Sequence, residues 1–186
     1  GSIAPSLFIS ALLSWAQNTI RTKIPITVNI SSCHQPERPV SWSLLAPSDN
    51  NGIIVNILSE IANHFEENQS GNIIGISSVA GERGKSSNYI YGSAKAGFTA
   101  FLSGLRNRLV KKNVHVLSVL PGTVYTKMTK GLNLPKLLTT YPDKVANKIY
   151  YGVIKKKDIV YSIELWRYIM LVIKLIPEKI FKNLNL

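Results

Sequence analysis

From residue 51 onward the apolar positions alternate between two rhythms. Ile53, Ile54, Ile57, Leu58, Ile61, Ala62 and Phe65 recur at helical spacing, with Glu60, His64 and Glu67 on other faces. Asp49 or Asn50 can cap that helix, and Gln69-Ser70-Gly71 ends it. Residues 72–77 (NIIGIS) are almost wholly apolar, the pattern of a strand buried on both faces. After a polar loop, a second helix over 89–111 turns Ala94, Phe98, Phe101, Leu102, Leu105 and Leu109 inward. Residues 114–120 (VHVLSVL) predict another buried strand, closed by Pro121-Gly122. Pro142 starts a helix over 143–153, and 159–161 forms a last short strand. Before residue 51 only 26–30 (ITVNI) has strand character, and a loop rich in Ser and Pro follows it. Strands alternating with helices of this length mean βαβ units and a parallel sheet.

The last 24 residues, 163–186, have a different texture. Trp166, Ile169, Met170, Ile173 and Ile176 form an apolar stripe, while Arg167, Lys174, Lys179 and Lys182 supply cations. That mixture describes an amphipathic helix lying in a membrane interface, bent or stopped by Pro177. A helix packing on the core or forming a dimer is the alternative. Charge supports an anionic partner. The net charge is +12, and residues 101–186 supply all of it with 16 basic against 4 acidic side chains. No segment reaches the ~20 apolar residues that span a bilayer. Residues 5–17 are apolar but lack a basic flank and a small-residue cleavage site, so no signal peptide is expected. Gly1-Ser2 without an initiator Met reads as an expression scar or a cut start. The single cysteine, Cys33, excludes an internal disulfide, and its spacing from His34 and His64 matches no metal site. The basic residues are not interleaved with stacking aromatics, so nucleic-acid binding is not expected.

Three polar residues gather where a parallel sheet places ligands, outside the carboxyl ends of its strands. Ser78 lies just past the 72–77 strand, Tyr91 lies 13 residues later, and Lys95 four residues after Tyr91. Positions i and i+4 share a helix face, so phenol and ammonium can approach one point. Reducing a ketone requires a proton for the oxygen as hydride reaches the carbon. A free phenol with a pKa of about 10 does this poorly at neutral pH, and a neighbouring ammonium favours the phenolate. A serine hydroxyl can hold the carbonyl against the acid.

The motifs I-S-S-V-A-G (76–81), Y-G-S-A-K-A-G-F (91–98) and V-L-P-G-T-V-Y-T-K-M (119–128) together resemble the short-chain dehydrogenase/reductase family. The resemblance implies a Rossmann-like, doubly wound parallel sheet and an NAD or NADP cofactor. It makes Tyr91 the acid–base and Lys95 the residue that lowers its pKa and holds the nicotinamide ribose. Ser78 would orient the substrate, while Pro121, Gly122, Val124 and Thr126 would line the nicotinamide site. The family's catalytic asparagine falls 27 or 28 positions before the serine, at Asn51 or Asn50. The run 77–109 further resembles a bacterial branch that includes decaprenylphosphoryl-ribose 2-keto reductases, which suggests a small-molecule or lipid-linked sugar substrate. The family also builds dimers and tetramers through the two helices at 51–66 and 89–111, so a homo-oligomer is expected.

The family's opening strand and T-G-x-x-x-G-x-G turn, which receives the cofactor pyrophosphate, are not found in this sequence. The expected organisation is therefore a divergent or truncated segment at 1–50, a catalytic α/β domain at 51–162 and an amphipathic tail at 163–186. The sheet would lack its first strands. The leading expectation is an oxidoreductase acting on a keto or hydroxyl group, in the cytoplasm or peripheral at the inner membrane face. The alternative is a catalytically silent fragment that serves as a membrane-associated or oligomerising module.

Overall fold

The computed structural model describes residues 26–28, 49–126 and 135–184, with side chains described from Ile54 onward. Four parallel strands form the main sheet in the order β1-β2-β3-β6: β1 (Ile26–Val28), β2 (Gly71–Ile76), β3 (Val114–Leu120) and β6 (Ile159–Tyr161). A second, two-stranded parallel sheet joins β4 (Thr123–Val124) to β5 (Thr139–Thr140). The helices are α1 (Asp49–Glu67), α2 (Tyr89–Leu109), α3 (Pro142–Ile154), α4 (Leu165–Leu175) and the single turn α5 (Glu178–Phe181).

The apolar runs become a three-layer core because successive strand residues face opposite ways. Ile73 and Val116 pack with Ile54, Leu58 and Ala62 of α1 and with Phe98, Leu102, Leu105 and Leu109 of α2. Their neighbours Ile74 and Leu117 face the other side, against Val153 of α3 and Val160 of β6. The sheet is thus covered on both faces, as the doubly wound reading requires. A third cluster closes the carboxyl end of the strands: Val79, Leu120 and Tyr161 pack with Met170, and Trp166 and Ile173 lie against them.

Where β6 has not yet begun, the edge of β3 is capped by Arg106. Its guanidinium donates to the Val116 carbonyl (2.9 Å), the Ser118 hydroxyl (2.6 Å) and the Asp158 carbonyl (2.8 Å). A side chain on α2 thereby satisfies backbone that a longer strand would otherwise pair.

Two expectations change. Ile57 belongs to the helical repeat but points to solvent, because the sheet covers only the arc from Ile54 through Leu58 to Ala62. The tail stripe, read above as a membrane-facing surface, instead faces the protein. Met170 is 1% exposed, and Trp166 and Ile173 pack beside it on the third cluster. The short β4–β5 pairing carries too few residues to show as a period in the sequence. The expected segment at 1–50 lies mostly outside the described residues, and within it 26–28 pairs with β2.

Candidate active site

Hydrogen bonding continues beyond the end of β2 and ties it to the Pro121-Gly122 loop. Ser77 N–H donates to the Val119 carbonyl (2.8 Å) and Val79 N–H to the Pro121 carbonyl (3.0 Å). Between them the Ser78 hydroxyl accepts from Ala80 N–H (3.1 Å), capping the turn at Val79–Gly81, and donates to the Pro121 carbonyl (3.4 Å). Ser78 is buried.

The same turn lies directly on the start of α2. A Cβ at Gly81 would stand 2.6 Å from the Lys95 carbonyl carbon, so this close approach requires glycine. From below, the Ser77 hydroxyl donates to the Lys95 carbonyl (2.9 Å) and meets the Thr99 hydroxyl (2.6 Å). Lys95 Nζ reaches the carboxyl end of β2 and donates to the Ile76 carbonyl (3.3 Å). Burial pushes this ammonium below the usual lysine range. Tyr91, one turn earlier, is half exposed, with its ring centroid 5.7 Å from Lys95 Nζ. The arrangement is an open phenol backed by a half-buried cation, with a hydroxyl on the adjoining strand end.

The structure therefore brings Ser78, Lys95, Pro121 and Gly122 together and sets Tyr91 at the rim. Val124 is buried in β4, paired with Thr140, and Thr126 follows at the end of that described stretch. Asn50 and Asn51 lie in the first turn of α1, but their side chains are outside the described residues, so both remain candidates. Among the described residues no group of three His, Cys, Asp or Glu side chains could hold a metal.

Sequence reasoning missed the residues that brace this site from the tail. Gly122 N–H donates to the Ser162 hydroxyl (3.0 Å), and a Cβ at Gly122 would collide with the Trp166 indole. Trp166 Nε1–H in turn donates to the Leu138 carbonyl (3.2 Å), next to β5. Beyond the serine turn, Arg83 donates to the carbonyls of Ile173 (2.6 Å) and Ile176 (2.7 Å) and to the Glu178 carboxylate (2.9 Å). Glu82 accepts from Lys174 (2.7 Å) and from the Tyr161 hydroxyl (3.1 Å). Burial first, and Glu82 second, push the Tyr161 phenol up to about 12. One signal was available: adjacent opposite charges at 82 and 83 are answered by opposite charges at 174 and 178.

The family profile described as short chain dehydrogenase matches residues 50–136. An uncharacterized oxidoreductase of Mycobacterium tuberculosis is 32% identical over 130 residues, which are 70% of this chain and 52% of that protein. The 3-oxoacyl-[acyl-carrier-protein] reductase FabG of Chlamydia trachomatis is 38% identical over 92 residues, 50% of this chain and 37% of that protein. Among solved structures, a short chain dehydrogenase from Burkholderia cenocepacia in complex with NADP aligns over 100% of this chain and 80% of its own. Its TM-score is 0.64 at 18% identity, a likeness of fold. A short-chain dehydrogenase from Sphingobium yanoikuyae in complex with NADPH gives 0.59 at 18%, over 94% of this chain and 73% of its own. Residues 50–136 thus resemble the short-chain dehydrogenase family, and the fold is the Rossmann-like parallel sheet of the solved structures the chain aligns with. It spans about half the length of the curated Mycobacterium relative.

Proposed function

We propose that this chain carries the catalytic half of an NAD(P)-dependent oxidoreductase that moves hydride between a nicotinamide and a keto or hydroxyl carbon. The observation that carries the reading is Lys95, half-buried behind the open Tyr91 ring and anchored to the end of the strand that delivers Ser78. Tyr91 Oη gives a proton to the carbonyl oxygen in reduction and takes it back in oxidation. Lys95 supplies positive charge behind the phenol, and its remaining N–H donors suit the nicotinamide ribose. The Ser78 hydroxyl, already polarised by Ala80 N–H, turns from the Pro121 carbonyl to the substrate oxygen.

The donor set fits the nicotinamide half of a dinucleotide, with Pro121, Gly122, Val124 and Thr126 forming the loop beside it. When bound, the cofactor supplies the hydride. The second reading is a catalytically silent module acting through its surfaces, among them the exposed apolar side chains of the tail.

The substrate proposed is a keto or hydroxy sugar, carried on a polyprenyl phosphate and met at the cytoplasmic face of a membrane by the basic half of the chain. A homo-oligomer through α1 and α2 completes the proposal. The test is consumption of NADPH or NADH, followed by absorbance, with a panel of ketoses and cyclic ketones. Tyr91→Phe should lower turnover by roughly 10²- to 10⁴-fold while leaving the fold intact. Equal rates in the two proteins would remove Tyr91 from the chemistry, and no turnover with any carbonyl would leave the silent module.

A further inference from the structure

The helix α4 has a second apolar face that packs on none of the core clusters among the described residues. Its inner face, Trp166, Met170 and Ile173, closes the third core cluster. A helix with one buried face ordinarily turns polar residues outward. Here the outer face presents Tyr168, Leu171, Val172 and Leu175 at three- and four-residue spacing, all more than half exposed, with Leu175 at 74%. Ile180 of α5 and Leu184 extend the exposed apolar surface beyond Pro177. No helix among the described residues is long and apolar enough to cross a membrane.

Charge identifies the occupant. Both carboxylates of the described tail are turned back to the body: Glu164 pairs with Lys148 (3.5 Å) and Glu178 with Arg83 (2.9 Å). Lys174 is held by Glu82 (2.7 Å), whereas Arg167, Lys179 and Lys182 have no carboxylate partner among the described residues. The surface beside the apolar face is therefore cationic, on a chain whose net charge is +12. A second copy seated there would bring like charge against like. An anionic bilayer offers negative headgroups for the lysines and acyl chains for the leucines.

We propose that the outer face of α4, with α5, lays the protein on an anionic lipid surface. This deepens the membrane part of the function proposed above and reassigns it to the face opposite the stripe read from the sequence. The contacts from Arg83 to the end of α4 hold the helix in place beforehand, so docking requires no folding of the tail. The face is flat on the surface rather than inserted across it.

The experiment is co-sedimentation of the full chain with vesicles of phosphatidylcholine, with and without phosphatidylglycerol. Binding should require phosphatidylglycerol and weaken with salt. Lys179→Gln/Lys182→Gln should lower affinity about five-fold for each cation removed. Leu171→Gln/Leu175→Gln should lower it about ten-fold or more while the melting temperature stays unchanged, since both side chains are exposed. Equal sedimentation with both vesicle types, or with neither, would overturn the proposal. So would a dimer in analytical ultracentrifugation that Leu171→Gln/Leu175→Gln dissolves, because a second copy would then own the face. Vesicle binding without carbonyl turnover keeps the lipid surface and removes the reductase reading; turnover without vesicle binding does the reverse.

Discussion

A methyl group at Gly81 would meet the Lys95 backbone, so Gly81→Ala must move the serine turn away from α2. The expected cost is about 1–3 kcal/mol, typical of overpacking, read as a lower denaturant midpoint with an unchanged slope. An unchanged midpoint would mean the turn yields without strain. His115 gives a second test at this scale. Its Nε2–H donates to the Lys157 carbonyl (2.8 Å), and its Nδ1 is buried without a hydrogen-bond partner among the described residues. Burial, reinforced by Lys156, holds the imidazole below its ordinary range although the Lys157 carbonyl opposes this. The unfolded chain takes up that proton below about pH 6.5 while the folded one resists, so stability falls on acidification through this range. Melting temperatures measured from neutral to acidic pH should drop more for the wild type than for His115→Gln; parallel curves would remove His115 as the cause. Chemical identity and local spacing made Ser78, Tyr91 and Lys95 legible in the sequence. Ser162 and Trp166 were not, since they reach Gly122 from 40 or more positions away and no local pattern records that approach.

The helix α4 is bound to the loop after Ser78 by one side chain more than by any other. Arg83 Nη1 sits against the last carbonyls of α4, where the negative end of the helix dipole lies, and the Arg83 guanidinium stacks 3.8 Å over the Phe181 ring. Arg83→Met should loosen α4 by about 2–3 kcal/mol, the scale of charge-assisted hydrogen bonds to a half-buried cation. Amide exchange should accelerate in α4 and α5 and stay unchanged in β2 and β3; uniform protection in both proteins would contradict this role. Most elements were visible in the apolar rhythm: β3 spans the expected residues, and α2 starts at Tyr89 as expected. The rhythm of 163–176 revealed an amphipathic helix but not its partner. Because α4 is apolar on two sides, the stripe assigned to lipid proved to be the one against Val79, Leu120 and Tyr161.

Across the whole molecule, one core lies between α1 and α2 and the sheet, another between the sheet and α3, and a third under α4 at the carboxyl end of the strands. That third cluster joins the tail to the loops carrying Ser78 and Gly122, so the candidate site and the proposed lipid face share a helix. The basic excess of residues 101–186 was legible as a count, but which cations face outward depended on Glu82 and Arg83 folding onto the tail. The dinucleotide cleft is the part least written in the chain, since the sequence lacks its glycine turn while retaining the catalytic motifs. Fluorescence titration of the purified chain with NADPH and NADH, beside Lys95→Ala, addresses this directly. Saturable binding that the substitution weakens at least ten-fold, about 1.4 kcal/mol, is the result expected of a nicotinamide site built on Lys95. Binding indifferent to Lys95→Ala, or none at all, would contradict it.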